Sequence, residues 1–118
     1  MKIFFVLFII TLLTLSCKSN SFAEIKASLP DMSEKSDGSY RGSYVLSGSP
    51  VKVVLDVTIQ NKNIVAINII DHFCSPIGKK AEKITGKIIE QQSLNVDVIS
   101  GATGSSKAIL KAVENALQ

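Results

Sequence analysis

The chain has 118 residues, 46% of them hydrophobic, with 13 basic and 10 acidic side chains, one histidine and a formal net charge of +3. That length accommodates one small domain. The near balance of charge, with no basic stripe and no tryptophan, speaks against nucleic acid as a partner.

Lys2 precedes an apolar run from Ile3 to Leu15, broken only by Thr11 and Thr14, and Ser16-Cys17 closes it. A charged start, a short apolar middle and small residues at the end predict an export signal over residues 1–16. The run falls short of the ~20 apolar residues that a comfortable membrane-spanning helix needs. Thr14-Leu15-Ser16-Cys17 resembles a bacterial lipobox, although Thr14 stands where leucine is usual. Cys17 is therefore the expected lipidation site. An ordinary cleaved signal and an uncleaved anchor are the alternatives. All three place the domain outside the cytoplasm, in the periplasm or on the outer surface, and the lipid anchor would make the membrane a partner. With Cys17 acylated, Cys74 has no partner for an intrachain disulfide. His72 and Cys74 lack a second ligand pair, so no metal site is expected.

Residues 17–36 are polar, carry Pro30 and show no sustained period, which predicts a tether with room for a short helical turn. Asp37-Gly38 marks a turn, and residues 37–118 are the predicted folded domain. Tyr40, Gly42, Tyr44 and Leu46 fall on one face of a first strand. Ser47 to Pro50 break it, and Val53, Leu55, Val57 and Ile59 then alternate with polar residues in a second strand. Asn61 to Asn63 form a tight turn, and Ile64 to Ile70 make a third, β-branched strand. Links this short force antiparallel neighbours, so residues 40–72 are expected as a three-stranded meander.

The period then becomes helical, with Ile77, Ala81, Ile84 and Ile88 on one face and lysines 79, 80, 83 and 87 on the wet one. Gly86 costs this helix about 1 kcal/mol relative to alanine. Residues 93–100 are extended and could supply a short strand. A last helix is expected from near Ser105, burying Ile109, Ala112, Val113, Ala116 and Leu117, with Lys111 in solvent. The sum is an α+β domain, an antiparallel β-meander packed against two helices.

Ser100 to Lys107, Ser-Gly-Ala-Thr-Gly-Ser-Ser-Lys, crowd four hydroxyls around two glycines at the start of that helix. One hydroxyl would cap the helix, worth ~1 kcal/mol. The rest exceed what capping requires. Gly101, Gly104 and Lys107 have the wrong spacing for a nucleotide P-loop, and no parallel-sheet pattern accompanies them. The physics of anion binding survives that rejection: glycines admit close approach, and a helix start offers free amides and a favourable dipole.

Asp97-Val98-Ile99-Ser100-Gly101-Ala102-Thr103 resembles the Asp-x-x-Ser/Thr-Gly-Ala-Thr motif of the FMN-binding domain family. The Asp-Gly-x-Tyr opening at 37–40, the meander, a helix near 78–92 and the Ser-Ser-containing helix at 105–117 extend the likeness over nearly the whole domain. Larger members are flavinylated periplasmic subunits of sodium-pumping NADH:quinone reductase and of Rnf electron-transfer complexes. The resemblance implies FMN as cofactor, joined through its phosphate to Thr103 by a separate flavin transferase. Ser100, Gly101 and Ala102 would form the recognised approach, Asp97 would serve transferase recognition, and Ser105 and Ser106 would lie near phosphate oxygens. A threonine hydroxyl is a weak nucleophile and the motif holds no base except Asp97, which fits attachment by a second protein. Gly104, following the threonine, would loosen the acceptor loop.

No catalytic residue is assigned. The chain reads as an extracytoplasmic, membrane-anchored electron-transfer domain, docking to redox-complex partners, rather than as a stand-alone enzyme. A small flavin-dependent reductase is one alternative, and a structural lipoprotein without flavin is another. In the loop at 72–74, Phe73 is read foremost as a core plug and His72 as a surface residue, with stacking of Phe73 on a flavin ring as the other option.

Overall fold

The computed structural model describes residues 25–118; the signal, the lipobox and Cys17 lie outside them. A 3-10 turn at Met32–Glu34 precedes strands β1 (Gly38–Val45), β2 (Lys52–Gln60) and β3 (Asn63–Phe73). A 3-10 helix at Gly78–Lys83 then runs into α1 (Ile84–Gln91), and α2 (Thr103–Leu117) closes the chain. The strands form one antiparallel sheet in the order β1-β2-β3, so the α+β meander with two helices is the observed fold. Among the described residues no helix is long and apolar enough to cross a membrane.

The meander follows from local chemistry. Asn61 and Lys62 both take positive φ, 51° and 67°, the backbone of a two-residue hairpin turn whose twist matches its strands. Asp37 Oδ1 accepts the Asn61 amide at 2.9 Å and fixes this turn to the start of β1. Val53, Leu55, Val57 and Ile59 point inward and are fully buried. Their partners across the sheet include Tyr40, Gly42 and Tyr44 on β1 and Ile64, Ile67, Ile69 and His72 on β3.

β3 departs from simple alternation twice. Ile59 pairs with Ile64 but Thr58 with Ala66, and Leu55 pairs with Ile69 but Val54 with Asp71. Val65 and Ile70 are therefore bulged residues, and both are exposed. The second bulge reverses the phase at the end of the strand. His72 turns into the core and Phe73 turns out, opposite to the expected core plug and surface histidine.

The helices cover one face of the sheet. Ala81, Ile84 and Ile88 are buried as the period requires, but Ile77 lies before the helical segment and is exposed. α2 begins at Thr103, two residues earlier than expected, and buries Ile109, Ala112, Val113, Ala116 and Leu117 against the sheet. Gln92, left-handed at φ 49°, ends α1. Its side-chain amide accepts from Ile64 N and donates to Ile64 O, both at 2.8 Å, so it occupies the edge of β3 as a neighbouring strand would. Residues 93–100 supply no strand. Leu94 is buried and Val96 and Ile99 pack on the core, leading the chain across to α2.

The polar stretch before β1 is in contact with the domain. Ala27, Leu29 and Met32 pack against the core, and Asp31 caps the 3-10 turn by accepting the Ser33 amide.

Candidate functional site

The hydroxyl-rich segment forms a tight crossing into α2. Gly101 has φ +79°, and a Cβ placed on it would meet nothing within 4 Å, so glycine is required by backbone shape and leaves the approach open. Ala102 N donates to Ile99 O at 2.9 Å, and Ser106 N donates back to Ala102 O at 2.9 Å. Ser106 is fully buried, and its Oγ accepts the Ile99 amide at 3.0 Å. This serine ties residues 97–102 to the helix from inside. Ser105 is also buried, its Oγ lying where Gly78 comes closest to α2. The two serines expected beside a phosphate thus face the interior, and Ser106 spends its oxygen on the loop itself.

What remains exposed at the helix start is Thr103, with Ser100, Gly101 and Asp97 beside it in sequence. No side chain caps α2, because its N-cap residue is Ala102. The amides of Thr103, Gly104 and Ser105 have no acceptor among the described residues. Capping therefore does not account for the hydroxyls. Gly104 is not part of a loose loop; it is the second residue of α2, and a Cβ there would lie 3.2 Å from Leu46 Cδ2.

Two further features lie at this end of the domain. A Cβ on Gly78 would sit 2.6 Å from Ser105 Oγ and 2.9 Å from Cys74 Cβ, so the 74–78 turn is seated directly against the start of α2. The turn and the adjoining strand ends expose Val45, Phe73 and Ile77, at 59%, 63% and 57%, the three most exposed large apolar side chains among the described residues. Val45 and Phe73 flank Lys52 on the outer face of the sheet. Beneath them His72 is buried with both ring nitrogens unpartnered, its Nδ1 4.0 Å from Glu82 Oε1. Burial lowers the His72 pKa, Glu82 and Asp71 raise it, Lys79 lowers it further, and the net direction is down. Burial also raises the Cys74 thiol pKa, which keeps it protonated and a poor redox nucleophile.

An exposed hydroxyl, three available amides and a glycine that clears the approach thus stand together at the start of α2, with an exposed apolar surface at the same end of the domain. The family pattern of the FMN-binding domain matches residues 47–118, and the chain belongs to that family. It is an FMN-binding flavoprotein, and FMN is its cofactor. An uncharacterised protein of Treponema pallidum is 39% identical over 87 residues, covering 72% of this chain and 24% of its own length. The NADH:acrylate oxidoreductase of Vibrio harveyi is 56% identical over 36 residues, covering 30% of this chain and 4% of its own length. The chain thus spans a small part of either relative. The residues at the start of α2 fit FMN through its phosphate, and the sequence signal that located them was the seven-residue motif. Sequence reading missed that Val45 and Ile77 stand exposed beside Phe73, since their positions depend on where β1, β3 and the 3-10 helix end.

Proposed function

We propose that the chain is an extracytoplasmic electron carrier whose FMN is joined through its phosphate to Thr103 Oγ1 by a separate flavin transferase. The observation that carries this reading is the position of Thr103. Its side chain is exposed at the first residue of α2, and no neighbouring group competes for the amides beside it. A helix start favours the negative charge of a phosphodiester. A threonine hydroxyl is a weak nucleophile, and the only ionisable residue of the motif is Asp97, which fits attachment by a separate transferase. Asp97, exposed and at the head of the motif, is open to recognition by that enzyme.

Bound there, the isoalloxazine supplies reversible electron transfer. The chain's own part is to hold and shield it. Phe73, Ile77 and Val45 offer an apolar resting surface at the same end as Thr103. A tether also substitutes for affinity, because a domain of this size buries little of a flavin and attachment keeps the cofactor at high effective concentration. The Vibrio harveyi relative is an oxidoreductase, which supports electron transfer as the task. The signal, Cys17 acylation and membrane anchoring belong to the same proposal, on the strength of Lys2, the apolar run and the Leu-Ser-Cys end.

The test is the intact mass of the chain co-expressed with a flavin transferase, with in-gel flavin fluorescence. Wild type is expected to gain the mass of one FMN less water. Thr103→Val keeps the side-chain shape, removes the oxygen and is expected to lose all covalent flavin while remaining folded. A colourless wild type, or a fluorescent Thr103→Val, overturns the assignment.

A further inference from the structure

The segment before the first 3-10 turn is fastened along α2. Ser28 N donates to Glu114 Oε2 at 2.7 Å, and Lys111 Nζ donates to Lys26 O at 3.4 Å. Ala27 and Leu29 pack on the core between and beside these points. Residues 25–28 line a groove of about 610 Å3 together with Leu94, Val98, Lys107 and Leu110.

These contacts have a direction. Ser28 meets Glu114 and Lys26 meets Lys111, one turn nearer the helix start, so the segment climbs α2 toward its start. Glu114 to Lys111 is a rise of ~4.5 Å along a helix, and Ser28 to Lys26 spans ~7 Å of extended chain. Thr103 lies further up the same helix, ~12 Å beyond Lys111.

Glu114 is the fastening. It is buried to 6% exposure, and Lys111 Nζ donates to its Oε1 at 2.5 Å while the Ser28 amide takes the other oxygen. Burial pushes its pKa up, but the hydrogen bonds from Lys111 and Ser28 outweigh that and hold it below the ordinary value. A carboxylate so placed resists losing either donor, because each departure would leave a buried oxygen unpaired.

We infer that residues 25–29 are a latched strap that delivers the preceding chain to the Thr103 end of the domain, turning the flavin-bearing face toward the membrane that holds the N-terminus. The inference rests on the flavin and anchor readings above and adds the orientation they leave open. It identifies the redox partner by its place: a protein or carrier within that membrane surface, not a soluble one arriving from the far side. Reach makes the latch matter. From Cys17 to a latched Ile25 the chain spans roughly 28 Å at most, whereas a released segment up to Asp37 would allow roughly 70 Å.

Two measurements on the full chain decide it. Amide hydrogen exchange of Ser28 needs neither flavin nor membrane. It is expected to be about ten-fold slower in wild type than in Glu114→Ala, with the Ile109 and Val113 amides protected in both to show that the fold is intact. The acylated, flavin-loaded chain is then placed on phosphatidylcholine–phosphatidylglycerol vesicles carrying a headgroup nitroxide that quenches flavin fluorescence. Strong quenching is expected in wild type, and at least a two-fold loss of it in Ser28→Pro, which lacks the donor to Glu114. A Ser28 amide that exchanges equally fast in wild type and Glu114→Ala overturns the latch. A protected Ser28 with an unquenched wild-type flavin overturns the orientation. A colourless chain, or one that stays off the vesicles, instead overturns the flavin or anchor reading, and with it the orientation, while the exchange measurement still decides the latch.

Discussion

Gly42 lies directly beneath Ala112. A Cβ on Gly42 would stand 2.1 Å from the Ala112 carbonyl oxygen and 2.5 Å from the Ala116 amide nitrogen, both of them backbone atoms of α2. The helix therefore rests on β1 with no side chain between them, and this seating sets where α2 begins and hence where Thr103 is presented.

Gly42→Ala is expected to be severely destabilising, by about 3 kcal/mol, because helix backbone cannot give way as a side chain tip can. Gly86 is the internal contrast. It sits in α1 with open space where its Cβ would be, so Gly86→Ala is expected to stabilise by about 0.5–1 kcal/mol through helix propensity. Urea denaturation of the two variants checks both signs. A Gly42→Ala midpoint equal to wild type would mean that α2 is not seated on β1.

The periodicity of α2 puts Lys111 in solvent, where charge reversal would be mild. The structure overturns that, since Lys111 partners the buried Glu114. Lys111→Asp places a second carboxylate against the first and is expected to cost about 2 kcal/mol or more. Lys111→Met keeps the stem packing and removes only the charge, so it is expected to cost less. Thermal melts at neutral pH rank the two. Equal melting temperatures would show that the Glu114 partnership contributes nothing to stability.

The strands and the buried stripe of α2 were legible in the sequence because each obeys one uninterrupted period. Val53 to Ile59 alternate without a break, and Ile109 to Leu117 recur at helical spacing. What escaped is what breaks a period or comes from far along the chain. The bulge at Ile70 leaves no mark in composition, yet it exchanges the fates of His72 and Phe73. The partner of Glu114 lies 86 residues away at Ser28, and nothing local announces it. The motif around Thr103 was readable as a string. That Ser106, three residues beyond it, faces inward depends on the helix starting at Thr103, two residues before the expected position.

His72 gives the domain a pH response with a definite sign. Its folded pKa lies below the ordinary histidine value of 6.5, chiefly because burial penalises the cation. Between those two values the unfolded chain binds more protons than the folded one, so stability falls as pH drops below about 6.5. The fall ends at the folded pKa. His72→Gln retains polarity without titrating and is expected to flatten the curve in that window. Denaturant midpoints between pH 5 and 7.5 test this, and a wild type as flat as His72→Gln would show that the histidine does not titrate with folding.

Phe73 separates a packing role from a ligand role. A buried phenylalanine replaced by alanine costs 3–5 kcal/mol in typical cores. Phe73 is instead 63% exposed, on the outer face of the sheet and beside the turn seated on α2. Phe73→Ala is therefore expected to leave the stability of the flavin-free domain within about 0.5 kcal/mol. In the flavin-loaded domain the same change removes part of the apolar surface that Val45 and Ile77 share with it. The ring then meets more water, and its fluorescence yield and visible absorption are expected to shift toward those of free FMN. The two readouts oppose the alternatives cleanly. A large loss of stability without flavin returns Phe73 to the core. Unchanged spectra with flavin bound at Thr103 place the ring on another part of the surface.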